Sequence, residues 1–198
     1  MHPTREKLLA SVIELLEEHL PEELSSDMVL KHSGISRGSL YHHFQDFADL
    51  VESALTKLFA QAVDQNIAMI RGLIDKATNR AEVVAGIEQF NRHTQSPKNR
   101  DQRFSRLRLL GLAYRNPRLT AKLAAEQDRL TQGYAELFHL AQQNGWMTRD
   151  FDPLAAAVLI QAYTLGRAVD DVATHKVDSE AWNDLIMGIV RRVFGAVD

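Results

Sequence analysis

Apolar residues recur at three- and four-residue steps along nearly the whole chain, the period of a helix rather than a strand. Leu8, Leu9, Val12, Ile13, Leu16 and Leu20 form one such stripe, with Glu14, Glu17 and Glu18 on the other side. Pro3-Thr4 predicts the start of this first helix, and Pro21 its end near His19 or Leu20. Ser25 reads as the N-cap of a short second helix over 26–32, with Gly34 just past its end, where a left-handed residue is wanted. Ser36 opens a third short helix to about His43, with Ile35, Leu40 and Phe44 facing inward. Asp46 then caps a long helix whose stripe runs from Phe47 through Leu50, Val51, Ala54 and Leu58 to Ile70. Further helices fit 81–94 and 102–114, followed by a long one that opens at Asn116-Pro117 and stops at Asn144-Gly145. Another runs from Asp152-Pro153 to about Thr174, and a last one from Ser179 to about Ala196. The expectation is an all-α chain without repeats: a three-helix unit over 1–47, joined by a long helix to a helical bundle over 48–198.

Composition narrows what such a chain can do. The 198 residues include no cysteine, which excludes disulfides, thiolate metal sites and cysteine nucleophiles. A 45% hydrophobic and 25% charged content is that of a globular protein with a self-sufficient core. Acids at Glu6, Glu14, Glu17 and Glu18 argue against a signal peptide, and apolar runs such as 154–160 are too short to cross a membrane. The expectation is a soluble, cytoplasmic protein. Charge is unevenly spread: residues 1–50 carry four basic residues (Arg5, Lys7, Lys31, Arg37) against nine acidic ones, a balance of −5 in a chain of net −3. Taken alone, that split argues against nucleic acid as the partner of the first fifty residues.

The pattern over 25–50 argues the other way. A short helix, a turn carrying Gly34 and a second helix opening on small polar residues is a helix-turn-helix, whose second helix enters the major groove by its N-terminal turns. Arg37 is a long donor able to make two hydrogen bonds to guanine. Gly38 permits close approach of the backbone to the duplex, while Ser39, Tyr41 and His42 are donors suited to phosphate oxygens. The run Ser33-Gly34-Ile35-Ser36-Arg37-Gly38-Ser39-Leu40-Tyr41-His42-His43-Phe44 resembles the signature A-G-V-S-x-G-T-L-Y-x-H-F of the TetR family of transcriptional regulators. Thr4-Arg5 at the first helix, Ser25 where the family often has threonine, and Leu50 extend the resemblance. So does the later order of N-P, N-G and D-P punctuation. The chain departs from the family at Phe47, where a phosphate-holding lysine is usual, and at Leu30, where alanine is usual. Together with the acidic balance, these departures predict weak non-specific affinity for DNA.

The resemblance implies a homodimeric regulator, a repressor that binds a palindromic duplex operator and is released by a small, mainly apolar effector. Its DNA-facing set is Thr4, Arg5, Ser25, Ser36, Arg37, Gly38, Ser39, Tyr41 and His42. An effector held inside the C-terminal bundle gives Gln89, Phe90, His93, Leu107, Leu110, Tyr114, Phe138, Gln161 and Thr164 as inward-looking candidates. Pairing of the last two helices with their copies gives Ala157, Val158, Trp182, Ile186, Ile189 and Val193 as the dimer interface. Gly86, Gly111 and Gly166 read as close helix contacts. The alternative is an all-α dimeric small-molecule-binding or interaction module that has lost DNA binding. An enzyme finds no support: there is no serine elbow, phosphate-cradling glycine loop or H-E-x-x-H sequence, and no cofactor or metal is implied. Adjacent helical residues diverge by about 100°, so His42 and His43 do not share an ion. Asp171 and His175 are four apart, open to reading as metal ligands or as a surface hydrogen bond, with no third ligand evident.

Overall fold

The computed structural model describes residues 2–193, the side chains of Ile74 and Val193 excepted. Among these residues the regular structure is helical. The helices are α1 (Pro3–Leu15), α2 (Ser26–Ser33), α3 (Arg37–His43), α4 (Phe47–Ile74), α5 (Arg80–Gln95), α6 (Arg100–Tyr114), α7 (Pro117–Gln143), α8 (Pro153–Gly166), α9 (Ala168–Asp171) and α10 (Ser179–Val193). Single 3-10 turns lie at Pro21–Glu23 and Pro97–Asn99. None of the described helices is long and apolar enough to cross a membrane.

Capping explains most of the boundaries. Ser25 Oγ accepts from Met28 N at 3.3 Å and Ser36 Oγ from Ser39 N at 3.2 Å, while Asp46 Oδ1 takes Asp49 N at 2.6 Å. Gly34 stands at φ 66°, the left-handed conformation that ends α2 at low steric cost. Two boundaries differ from expectation. Helix α1 stops at Leu15 and tightens into turns over 16–19, and Leu20 is extended before Pro21, its amide bonded to the Glu23 carboxylate at 2.7 Å. The helix opened by Asp152 stops at Gly166 instead of reaching Thr174. The break falls at Gly166, whose backbone freedom disfavours the helix, and beyond it Arg167 lies over the Trp182 ring and Asp171 bonds Arg103. The expected end of the last helix near Ala196 lies outside the described residues.

The chain forms two compact units. One comprises the chain up to Ala62 together with Asn116–Glu126; the other comprises Val63–Arg115 and the chain from Gln127 onward. The first unit extends past residue 47, because α4 completes the first core. Leu8, Leu9 and Val12 of α1, Val29 of α2, Leu40 of α3 and Phe44 pack with Leu50, Val51 and Ala54 of α4. Helices α4 and α7 each contribute residues to both units.

The start of α7 is fixed in the first unit by charge. Glu52, only 5% exposed, receives Arg118 Nε at 2.6 Å, Arg118 Nη2 at 3.0 Å and Asn116 Nδ2 at 2.8 Å. Arg118 also reaches Asp46 at 2.9 Å, and Lys122 reaches Asp49 at 2.5 Å and Ser53 Oγ at 3.1 Å. Burial pushes the Asp49 and Glu52 carboxyls up, but Lys122 and Arg118 outweigh it, so both lie below their ordinary values. Asp46 is lowered chiefly by its bond to Arg118.

In the second unit, Arg103 of α6 is buried with Asp171, its Nε at 2.8 Å from the carboxylate. Asn91 of α5 donates to Asn183 of α10 at 3.0 Å. Gly133 packs closely, since a Cβ there would lie 2.9 Å from the Ile67 side chain and force it to shift. Gly86 meets Leu73 at 3.4 Å, but Gly111 and Gly166 face open space, which corrects their reading as close contacts.

Because the folded carboxylates titrate below their unfolded values, their stabilisation is complete above the ordinary carboxylate range. It is lost as pH falls through the lowered values. Glu52→Gln should therefore destabilise the protein at pH 7 by about 1–3 kcal/mol, the worth of hydrogen bonds to a charged group. In urea unfolding the gap between variant and parent should close as the pH is brought down, where the parent carboxyl is protonated too.

Candidate DNA-binding surface and ligand cavity

Helix α3 buries one side and shows the other. Leu40 and Phe44 are buried in the first core, and Arg37, Gly38, Tyr41 and His42 are exposed, at the spacing of a single helical face. Ser36 and Ser39 share a hydroxyl bond of 3.0 Å at the helix start, Ser36 exposed and Ser39 half-buried. A Cβ on Gly38 would meet nothing within 4 Å, so internal packing does not require glycine there. Arg37 Nη2 donates to Asp27 Oδ1 of α2, a partner not read from the sequence because it lies ten residues away across the turn. Tyr41 is half exposed. His42 packs edge-on to His43 at 5.0 Å between centroids, and His43 lies 4.6 Å from His2. Burial, then the neighbouring His2, His42 and Arg5, keep the His43 imidazole below its ordinary range.

The remaining members of the set surround this helix. Ser25 is exposed and caps α2. Thr4 is half-buried, its amide donating to His2 Nδ1 at 3.3 Å. Arg5 lies 5.1 Å from the Phe44 ring centroid and 3.8 Å from Glu6. Phe47 and Leu30, the two departures from the family signature, both pack half-buried against the first core.

A cavity of about 50 Å³ lies within the second unit. Its walls are Ile70 and Leu73 of α4, Val83, Ile87 and Phe90 of α5, Tyr134, Leu137 and Phe138 of α7, Met147, and Ile160 and Tyr163 of α8. The Tyr163 hydroxyl is buried with no hydrogen-bond partner among the described residues. Burial pushes the Tyr134 phenol up to about 12 and raises Tyr163 as well, so both remain neutral donors.

Of the expected ligand set, Phe90 and Phe138 line this cavity. Gln161 is buried among protein partners, accepting from Arg106 at 2.8 Å and Gln127 at 2.9 Å and donating to Thr131 and Ala157 O at 3.1 Å. Thr164 donates to Ile160 O at 2.8 Å, and Leu107 is half-buried outside the cavity lining. Gln89, His93, Leu110 and Tyr114 are exposed, Tyr114 by 87%, so their inward placement is corrected. The buried face of α5 runs through Val83, Gly86 and Phe90, and that of α6 through Arg103, Leu109 and Ala113, which turns those four positions outward. The two tyrosines of the lining, Tyr134 and Tyr163, are not in the expected set.

The expected dimer residues divide similarly. Ala157 and Ile186 are buried within the unit. Trp182 is half-buried, donating to Gln95 at 3.0 Å beneath Arg167, which pairs with Asp170 at 3.2 Å. These three are therefore used by the chain's own fold. Val158 and Ile189 are exposed, as are Leu154, Leu159 and Leu185. The Val193 side chain lies outside the described residues. Asp171 is taken by Arg103, and no cluster of three potential metal ligands occurs among the described residues.

A helix-turn-helix with one exposed face on its second helix, and an apolar cavity in a helical second unit, are the parts that a DNA-binding regulator uses. Residues 8–54 match the family model described as bacterial regulatory proteins, tetR family. The chain is 24% identical over 192 residues to the HTH-type transcriptional regulator UidR of Escherichia coli (strain K12), covering 95% of this chain and 93% of that one. Its fold is similar to Salmonella enterica GusR, with a TM-score of 0.70 at 19% identity, over 97% of this chain and 95% of that one. It is also similar to a regulator from Saccharomonospora viridis solved in complex with choline, with a TM-score of 0.69 at 16% identity, over 97% and 98% of the two chains. The first unit is thus similar to the DNA-binding domain of the tetR family, and the chain as a whole is similar to transcriptional regulators.

Tyr163→Phe removes a buried hydroxyl that has no partner among the described residues, so thermal unfolding should show unchanged or slightly raised stability, by up to about 1 kcal/mol. A clear loss of stability would mean that the hydroxyl is bonded in solution.

Proposed function

We propose that the protein is a ligand-responsive one-component repressor, acting in the cytoplasm as a homodimer on a palindromic operator. The observation that carries this reading is the exposed α3 face of Arg37, Gly38, Tyr41 and His42, fixed from behind by buried Leu40 and Phe44. Residues 1–47 supply the DNA contacts and 48–198 the effector and dimer contacts. Thr4, Arg5, Ser25, Ser36 and Ser39 serve as phosphate-side neighbours of the reading helix.

The effector is a small, mainly apolar molecule held in the cavity of Phe90, Phe138 and Tyr163. A relative of this fold is solved with choline, which supports a small molecule as the signal. About 50 Å³ is far below the ~300–1,000 Å³ of ordinary ligand pockets, so an effector must open the cavity. Binding then favours the expanded conformation, and only such a differential preference shifts an equilibrium. A tenfold preference is worth about 1.4 kcal/mol per site, and operator DNA weakens effector binding by the same factor.

Selection from random duplex DNA tests the reading directly. A palindromic motif is expected, with half-sites one duplex turn, ~34–36 Å, or a multiple apart. No enrichment would favour the module that has lost DNA binding, a reading that the acidic first fifty residues and the half-buried Phe47 support.

The exposed apolar residues Leu154, Val158, Leu159, Leu185 and Ile189 support a second copy as their cover, since a palindrome needs two recognition helices. Ile189→Glu should give a monomer by light scattering and lose operator binding with it. A monomer that keeps parental affinity for the full operator would refute the dimer.

A further inference from the structure

We propose that Asp27 is a specificity-determining residue, one that positions Arg37 for base reading and withholds it from phosphates. The inference rests on the reading of Arg37 as a base contact. Arg37 is the first residue of α3 and Asp27 lies in the first turn of α2, so each sits at the start of one of the two helices of the DNA-binding motif. Asp27 Oδ1 takes a single guanidinium nitrogen, Nη2, leaving Nη1 and Nε as donors. Their side chains are 57% and 80% exposed, so the pair contributes little to folding.

Its effect on DNA binding is larger, for two reasons. An arginine side chain is rich in rotamers, and a guanidinium already fixed by a carboxylate loses less freedom on meeting a base edge. A carboxylate beside the guanidinium also repels phosphates and competes with them for the same donors, which lowers the sequence-independent part of binding. Specificity is a difference of affinities, and Asp27 acts on both sides of it. The acid that adds to the unfavourable charge of this unit thereby lowers the background against which the operator is read.

The test uses the full-length protein and the operator obtained by selection, at one salt concentration. Affinities are measured for the operator, for its single-base variants and for a scrambled duplex, with the parent, Asp27→Ala, Asp27→Glu, Arg37→Ala and the double variant. Asp27→Ala should bind scrambled DNA more tightly. It should also lose about fivefold of discrimination at the same base pair that Arg37→Ala relaxes, the upper end of one exposed ion pair's worth. In the Arg37→Ala background the substitution should have no further effect on that base pair, and Asp27→Glu should restore part of the discrimination. A merely structural role for Asp27 would alter stability and leave base preference alone, and that outcome overturns the proposal. So does a relaxed preference at a different base pair, which would make Asp27 a reader in its own right. If Arg37→Ala relaxes no base pair, the underlying reading of Arg37 fails and the proposal falls with it. Normal Arg37 readout without coupling to Asp27 overturns the proposal alone.

Discussion

The carboxylate of Glu52 is the constraint on which the first unit depends. It is buried on α4, among the residues that complete the helix-turn-helix core, and two cations from the start of α7 converge on it. A charge so placed is costly unless it is paired and hydrogen-bonded. Arg118, Lys122 and Asn116 meet that condition together, so the opening turns of α7 are drawn to α4 by charge. Apolar contact alone is tolerant of sliding, whereas a forked guanidinium bridging Asp46 and Glu52 fixes a register. Asp46, the cap of α4, is thus both the end of one helix and the anchor of another.

The same unit carries its surface charge against its purpose. A face that meets DNA gains non-specific affinity from every phosphate it neutralises, yet the first fifty residues are net acidic. Part of that acid is internal, since Asp46 and Asp49 are bound to α7 cations and Glu6 to Lys57 at 2.5 Å. Counting charges along the first fifty residues alone overstates the acidity of the unit, because Arg118 and Lys122 belong to it through the fold.

Local chemistry was legible and long-range pairing was not. The caps at Ser25, Ser36, Asp46 and Asp152, and the left-handed Gly34, follow from side-chain oxygens and backbone sterics within four residues. The recognition face follows from the helical period. The contacts that hold the chain beyond Gly166 are different, because Trp182 under Arg167 and Arg103 on Asp171 lie far along the sequence. The candidate cavity was found only at Phe90 and Phe138, because a few residues' uncertainty in helix phase exchanges inner and outer positions. Tyr163 gives the sharpest case, since a hydroxyl left without a partner is visible only when its surroundings are known.

Gly38 has a consequence for how such a protein can change over time. It stands in the first turn of α3 with open space where a side chain would go, and its backbone is not in the left-handed region. Nearly any residue could stand there without disturbing the interior, and most would favour the helix more than glycine does. Mutation at this position is therefore nearly free of folding penalty, and its effect falls on whatever approaches α3 from outside. A lineage can drift from one target sequence to another through such a site without first passing through an unstable intermediate.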